Sequence, residues 1–406
     1  MSLLAFAGFT LGETLGYSGA SPPYQWSPAG RPRKRGSAPR GPSLLAPLLP
    51  LCFRPTWPHS EVQRFILSQF PRMKIAVLFG GNSSERDVSI ASGIQVTRAL
   101  KEAGHNVLAV ETFRGVLSEP EVQALLSRGI APEPPSTHDL EVVKAKTGGI
   151  VQPSYFTDAE VVFLALHGGT GEDGTIQAVF SAAGVLYTGS DHVGSAAAMD
   201  KDLAKRLFVA AKVPTADWIM APVDSELAAA KLGFPLVVKS NKQGSTVGLT
   251  IVHRIEEIQS AIEEAYRHDD EVMLERFIPG REFTVGILGD RALAVGEIIP
   301  KCSDIFDYQS KYQPGGAEEI FPAAVSPEQT ARFQELALRA HGALKLRDYS
   351  RVDFRLDPQG GIWCLEANTL PGMTAQSLLP KAAAAVGISF PELCAEICRL
   401  ALERGR

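Results

Sequence analysis

The stretch "RMKIAVLFGGNSSERDVS", residues 72–89, limits the fold more than any other part of the chain. Ile75 to Phe79 form an apolar run without alternation, the mark of a strand covered on both faces and therefore of a parallel sheet. A glycine pair follows. Then comes a polar segment with helical periodicity, which Ser83 or Ser84 can cap and Gly104 ends. "HNVLAVE" is the next strand, so the chain opens as a βαβ unit. "AEVVFLALHGGTGEDG" is another buried strand, which empties into a glycine loop at His167. Doubly wound sheets place ligands at such strand-to-helix turns, with helix amides facing anions. No GxGxxG is present, so a dinucleotide site is not expected.

The pattern changes after residue 198. "FPLVVKSNKQGSTVGLTIV" reads as strand, glycine loop, strand, and "EVMLERFIPGREFTVGILGDRALAVGEIIP" as a run of strands. A long helix, a hairpin and a closing helix follow, while residues 115–155 are broken by Pro and Gly. The expected class is α/β and α+β. A doubly wound, Rossmann-like unit spans 73–198, with α+β units at 199–282 and 283–406.

Residues 1–72 stand apart. They hold 11 of the 28 prolines and eight Lys and Arg against two acids, giving +6 where the whole chain carries −5. We expect this segment to lie outside the fold, as a disordered extension, as untranslated upstream sequence with Met73 the true start, or as a leader. "SLLAPLLPLCF" is too short and too proline-broken to span a membrane. The charge balance gives no nucleic-acid surface. Five scattered cysteines with no CxxC fit a reducing compartment, and Cys394 and Cys398, four apart on a helix, read as packing.

The hairpin "YSRVDFRLDPQGGIWCLEANTLPG" is the first sign of chemistry. Val352 and Phe354 face one side; in the second strand Trp363, Leu365 and Ala367 alternate with Cys364, Glu366 and Asn368. Folding about Gln359–Gly360 sets Asp353 opposite Glu366 and Arg351 opposite Asn368. Like charges directly opposite are destabilising. Two readings stay open: Asp353, Glu366 and Asn368 hold a hard cation such as Mg²⁺, or Arg351 and Arg355 neutralise the acids as a charge ladder. The loop "KSNKQGSTVG", with Lys239 leading in and Ser245 and Thr246 inside it, can wrap an anion in backbone amides or serve as a plain hairpin turn. Glu85 can offset the dipole of its helix or hold a substrate ammonium. His167 can pack beside its turn or bind a ligand.

Taken together, "GGNSSERDVS", "HGGTGEDG", "SAAAMDK", "VVKSNKQGSTVG", "EFTV", "FDYQSKY", "RVDF" and "LEANTLPGMTAQSLLP" resemble, in order, the D-alanine–D-alanine ligases of the ATP-grasp superfamily. The likeness runs from Met73 to the C-terminus. Leu370 stands where some members have Ser, and Arg276 where a Lys is often found.

The resemblance implies an ATP-grasp fold and an ATP-dependent ligase that makes D-alanyl-D-alanine for peptidoglycan precursors. Lys201 and Lys239 would meet the phosphates under the loop of Ser245 and Thr246. Glu275, Phe277, Ile278 and Leu365 would line the adenine side, with Glu282 at the ribose. Asp353, Glu366 and Asn368 would hold two Mg²⁺ ions, with Mn²⁺ able to substitute. Glu85, in a group with Ser245 and Tyr312, would hold the first ammonium, beside His167. Lys311 would neutralise the transferred phosphate, and Arg351 and the Gly372 amide would form the oxyanion hole. Ser377 and the Leu378 amide would take the second carboxylate. D-alanine substrate, a homodimer, a cytoplasmic location and no nucleic-acid or membrane partner complete the expectation. Rival readings are a D-alanine–D-lactate ligase, which Lys311–Tyr312 disfavour, another amino-acid ligase of the superfamily, or a non-catalytic ATP-binding regulator.

Overall fold

A computed structural model describes residues 72–126, 153–244, 247–301 and 316–405, all within one compact unit, Pro58–Arg406. The leader and Cys52 and Cys302 lie outside the described residues. So do Ser245, Thr246, Lys311 and Tyr312.

The first sheet has the order β3-β2-β1-β4, from β1 (Lys74–Phe79), β2 (Asn106–Glu111), β3 (Gly115–Val116) and β4 (Val161–Leu164). β1 runs parallel to both β2 and β4, as the unalternating apolar run requires, and β3 is antiparallel. Beyond β4 the sheet gains only a parallel bridge between Val162 and Tyr187. The chain leaves β1 to one side for β2 and returns on the other as β4, so β1 and β4 end at a topological switch point.

Helix α1 (Arg86–Glu102) covers this sheet. Its N-cap position is Glu85, and Ser83, two residues earlier, accepts the Glu85 N–H at 3.2 Å. Gly93 lets α1 meet β1, because a Cβ there would fall 2.3 Å from the Phe79 ring. Gly93→Ala should therefore cost about 1–3 kcal/mol through overpacking, read as a lower urea midpoint with an unchanged slope; an unchanged midpoint would contradict this packing.

The second sheet, order β5-β8-β6-β7, is small and antiparallel: β5 (Trp218–Met220), β6 (Leu236–Ser240), β7 (Thr250–Val252) and β8 (Val272–Arg276). The third has the order β11-β10-β9-β12-β13, from β9 (Arg281–Leu288), β10 (Arg291–Pro300), β11 (Ala317–Ile320), β12 (Tyr349–Leu356) and β13 (Ile362–Asn368). The other α-helices among the described residues are α2 (Glu119–Leu126), α3 (Thr175–Ala182), α4 (His192–Met199), α5 (Lys201–Ala210), α6 (Ser225–Leu232), α7 (Ile258–Tyr266), α8 (Pro327–Ala343), α9 (Leu378–Ala385) and α10 (Phe390–Arg404).

The small sheet has its own core, whereas Phe208 of α5 and Val213 pack into the core of the third sheet with Phe283, Phe333 and Phe354. Cys394 and Cys398 of α10 are buried in the core of the first sheet, so the packing reading of this pair holds. The chain's last helix thus ties the C-terminal part to the first sheet, and active-site elements from both are held in one frame.

Candidate active site

The switch point presents Glu85 and His167. Glu85 is 9% exposed, and two loops close on its carboxylate. A Cβ would lie 2.9 Å from Glu85 Oε2 if placed on Gly168, and 3.0 Å if placed on Gly244. Gly168 also sits at φ +64°, where side chains are disfavoured.

His167 has both ring nitrogens engaged by the protein: Nδ1 lies 2.9 Å from the Leu370 carbonyl and Nε2 lies 3.0 Å from Ser92 Oγ. A carbonyl only accepts, so Nδ1 carries the proton and Nε2 accepts from Ser92. Ser92 Oγ in turn accepts the Met373 N–H at 3.2 Å. Burial holds the imidazole below the ordinary histidine range, against the pull of the Glu85 carboxylate. A neutral histidine thus braces the segment that carries Gly372, helped by Gln95, which accepts the Ala375 N–H at 2.8 Å. A Cβ on Gly372 would lie 2.9 Å from Ser377 Oγ, which places that hydroxyl beside the Gly372 backbone.

The hairpin of β12 and β13 has the expected register at its functional end: Arg351 pairs with Asn368 and Asp353 with Glu366. Beyond that the register slips, so that Phe354 faces Cys364 and Leu365 is the extra residue of a bulge. This corrects the alternation expected from sequence. Ile362, Cys364 and Ala367 face the core, while Leu365 and Glu366 both line the cleft.

Asp353 accepts from Thr284 Oγ1 at 2.7 Å, from Arg351 Nη2 at 2.8 Å and from Asn368 Nδ2 at 3.1 Å. Glu366 is one-third exposed and lies 3.8 Å from Lys201 Nζ. The protein's own cations therefore offset part of the repulsion, as the charge-ladder reading has it for Arg351. Arg355 does not join that ladder: it pairs with Glu282 at 3.2 Å and donates to the Ile278 carbonyl at 3.1 Å. The donor set Asp353, Glu366 and Asn368 offers only hard oxygens on one strand pair, with Glu366 turned to the cleft. That chemistry fits Mg²⁺.

On the far side of the hairpin, Glu275 accepts from Lys239 at 2.6 Å and also from Lys205. Burial alone would push this carboxyl up; the two ammonium groups outweigh it and hold it at about 2. Lys205 donates to Thr215 Oγ1 at 2.6 Å, and Thr215 donates to the Cys364 carbonyl at 2.8 Å, so the buried network reaches the hairpin. The Arg355 guanidinium lies 5.4 Å from the centre of the Phe277 ring. Lys201 donates to the Gln243 carbonyl at 2.6 Å, beneath the glycine loop.

These residues gather into two adjoining cavities. The first takes Glu85, His167, Arg351, Asn368, Gly372, Ser377 and Leu378. The second takes Lys239, Glu275, Phe277, Ile278, Glu282, Asp353 and Leu365. Lys201 and Glu366 line both.

Sequence reading passed over Lys205, Thr284, Ser92 and Glu172. Glu172 and Thr284 do lie in quoted motifs, "HGGTGEDG" and "EFTV". Ser92 sits mid-helix with no local signal, and Lys205 reads as an ordinary face of an amphipathic helix.

The family described as D-ala D-ala ligase N-terminus matches residues 74–190, and D-ala D-ala ligase C-terminus matches 207–399. The chain is 41% identical over 340 residues to a D-alanine--D-alanine ligase of Halalkalibacterium halodurans, covering 82% of this chain and 100% of the relative. The solved D-alanine--D-alanine ligase of Bacillus anthracis complexed with ATP superposes with a TM-score of 0.63 at 32% identity, covering 82% of this chain and 98% of that one. The VanG D-Ala:D-Ser ligase of Enterococcus faecalis gives 0.66 at 30% identity, covering 82% and 100%. With both halves matched in order and the two cavities built from the motifs themselves, the chain belongs to the D-alanine–D-alanine ligase family and has its ATP-grasp fold.

Proposed function

We propose that the protein joins two D-alanines at the expense of ATP, giving D-alanyl-D-alanine, ADP and phosphate for peptidoglycan precursors. The observation that carries this reading is the seam at Lys201 and Glu366. Glu85, Arg351 and Gly372 line the cavity on one side of it, and Lys239 and Glu275 the cavity on the other.

The carboxylate of the first D-alanine attacks the γ-phosphorus and ADP leaves. The amine of the second attacks the resulting acyl carbonyl, phosphate departs and the nitrogen loses a proton. Phosphoryl transfer of this kind depends mainly on positioning and charge stabilisation. Glu85 holds the first ammonium, in a group with Ser245 and Tyr312. Lys201 and Lys239 face the phosphates, with Thr246 on the loop above them. Phe277, Ile278 and Leu365 flank the adenine beside Glu275, and Glu282 meets the ribose.

Arg351 and the Gly372 amide stabilise the tetrahedral oxyanion, and donors aimed at developing charge are usually the largest catalytic contribution. Ser377 and the Leu378 amide hold the second carboxylate. Lys311 neutralises the transferred phosphate, and exclusion of water protects the acylphosphate. Asp353, Glu366 and Asn368 would hold two Mg²⁺ ions, or Mn²⁺, whose charge, when they are bound, offsets that of the phosphates. A cytoplasmic homodimer completes the proposal.

ADP release measured with D-alanine, D-serine, D-lactate and L-alanine, with products identified by mass, tests it. The expected result is D-alanyl-D-alanine with one ADP per dipeptide. ADP release without dipeptide, or a preferred depsipeptide or D-alanyl-D-serine, would contradict it.

A further inference from the structure

Among the described residues, Glu172 is the one acidic side chain of the substrate cavity without an assigned role or an ion-pair partner. Its Oε2 accepts the Gly168 N–H at 3.0 Å and its Oε1 accepts the Leu370 N–H at 3.4 Å. Glu319, also in this cavity, is paired with Lys381 at 2.7 Å, and Glu366 with Lys201. Among the described residues no lysine, arginine or histidine forms an ion pair with Glu172.

Gly168 is shared. Its amide points at Glu172, and the position a Cβ would take points at Glu85 Oε2. Two carboxylates thus flank one glycine. The charged and titratable groups acting on Glu172 are Glu85 from the turn before α1, and Arg351 and Tyr349 from β12, while His167, three residues beyond β4, lines the same cavity. Of these only Arg351 is a fixed cation, and it is engaged by Asp353 at 2.8 Å. Burial, and then the Glu85 charge, push the Glu172 carboxyl up to about 7. A cation beside Glu172 would balance its charge. An amino-acid substrate brings one.

We infer that Glu172 is a positioning residue that completes, with Glu85, the pocket for the first substrate's ammonium and, through the Leu370 amide, fixes the segment carrying Gly372. This rests on the ligase reading above. It makes the bound ammonium and the oxyanion donor parts of one hydrogen-bonded unit, because the carboxylate that senses the first also holds the second.

The test is steady-state kinetics for the first D-alanine across pH, in the wild type and in Glu172→Gln. The amide keeps the size and one acceptor but loses the charge. In the free enzyme a proton on Glu172 removes half of the acidic wall. Wild-type kcat/KM for the first D-alanine should therefore fall as pH drops below about 7, since that ratio reports the free enzyme.

Glu172→Gln should raise the first KM about tenfold, the effect of roughly one lost charge-assisted contact, leave the second KM within about twofold, and lack the acid limb. Glu172→Asp should keep the limb. A glutamine variant with wild-type KM and wild-type acid limb would overturn the proposal. So would a wild type with no acid limb, a result that holds even if Glu172→Gln fails to fold. Absence of dipeptide from the wild type at every pH would instead remove the ligase reading itself.

Discussion

Asp353→Asn is expected to reduce dipeptide formation by about a hundredfold or more at saturating Mg·ATP, the scale of losing a pre-positioned charge at a phosphoryl-transfer site. The substitution keeps the shape of the side chain and removes its charge. In the structure Asp353 accepts from Thr284, Arg351 and Asn368, and it faces Glu366 across the strand pair. Stability feels two opposing changes. Arg351 loses a full counter-charge, while Glu366 loses a like-charged neighbour. The net cost should stay near 1–3 kcal/mol, that of weakening one buried charge-assisted group. Activity should therefore collapse in a chain that still unfolds cooperatively. The check is kcat at several Mg²⁺ concentrations beside a urea unfolding curve. Normal turnover in the variant would remove the metal assignment; equal collapse of folding and activity would make Asp353 a structural ion-pair partner of Arg351.

Glu275→Gln should cause the largest loss of stability. Glu275 is 3% exposed and neutralises two ammonium groups, of which Lys205 is 1% exposed. Removing one member of a buried charge cluster typically costs about 3–5 kcal/mol, because the partners stay buried and unpaired. The cost should fall when Lys205→Met is added, since the second substitution removes one stranded charge. The KM for ATP should rise, because Lys239 loses the carboxylate that fixes it.

The same group sets an acid limit. Its folded pKa, about 2 against an ordinary 4.5, is depressed. Its contribution is therefore fully present above the unfolded value and is lost as pH falls from about 4.5 towards 2. Over that window the wild type should lose about 3 kcal/mol that Glu275→Gln does not lose. Parallel pH–stability curves for the two proteins would contradict this.

Much of this was legible in the sequence, for physical reasons that differ by element. The run Ile75–Phe79 cannot be half-exposed, so a parallel strand was dictated, and the glycine turn after it placed Glu85 at the switch point. The pairing of Asp353 with Glu366 followed from the turn at Gly360, which sits at φ +86°. The bulge at Leu365 left no such signal: one extra residue in a strand reads as unbroken alternation, and it flips which side chains meet the cleft. Arg351 was legible as a charge near Asp353, but whether it neutralises that acid or serves the oxyanion is decided by three-dimensional contacts. The brace from Ser92 and His167 to the Leu370–Met373 segment joins residues far apart in the chain, and no local pattern announces it. Lys205 was invisible for a similar reason, because its partner Glu275 lies on a strand 70 residues away.

The most direct test of the hairpin's role is to count divalent ions. Mn²⁺ titrated into the full-length protein with saturating ADP, followed by electron paramagnetic resonance, should show two tightly held ions per chain. Glu366→Gln should lose at least one of them while nucleotide still binds. Unchanged Mn²⁺ stoichiometry and affinity in Glu366→Gln would place the ions elsewhere and leave Asp353 and Glu366 as partners of Arg351 and Lys201 alone.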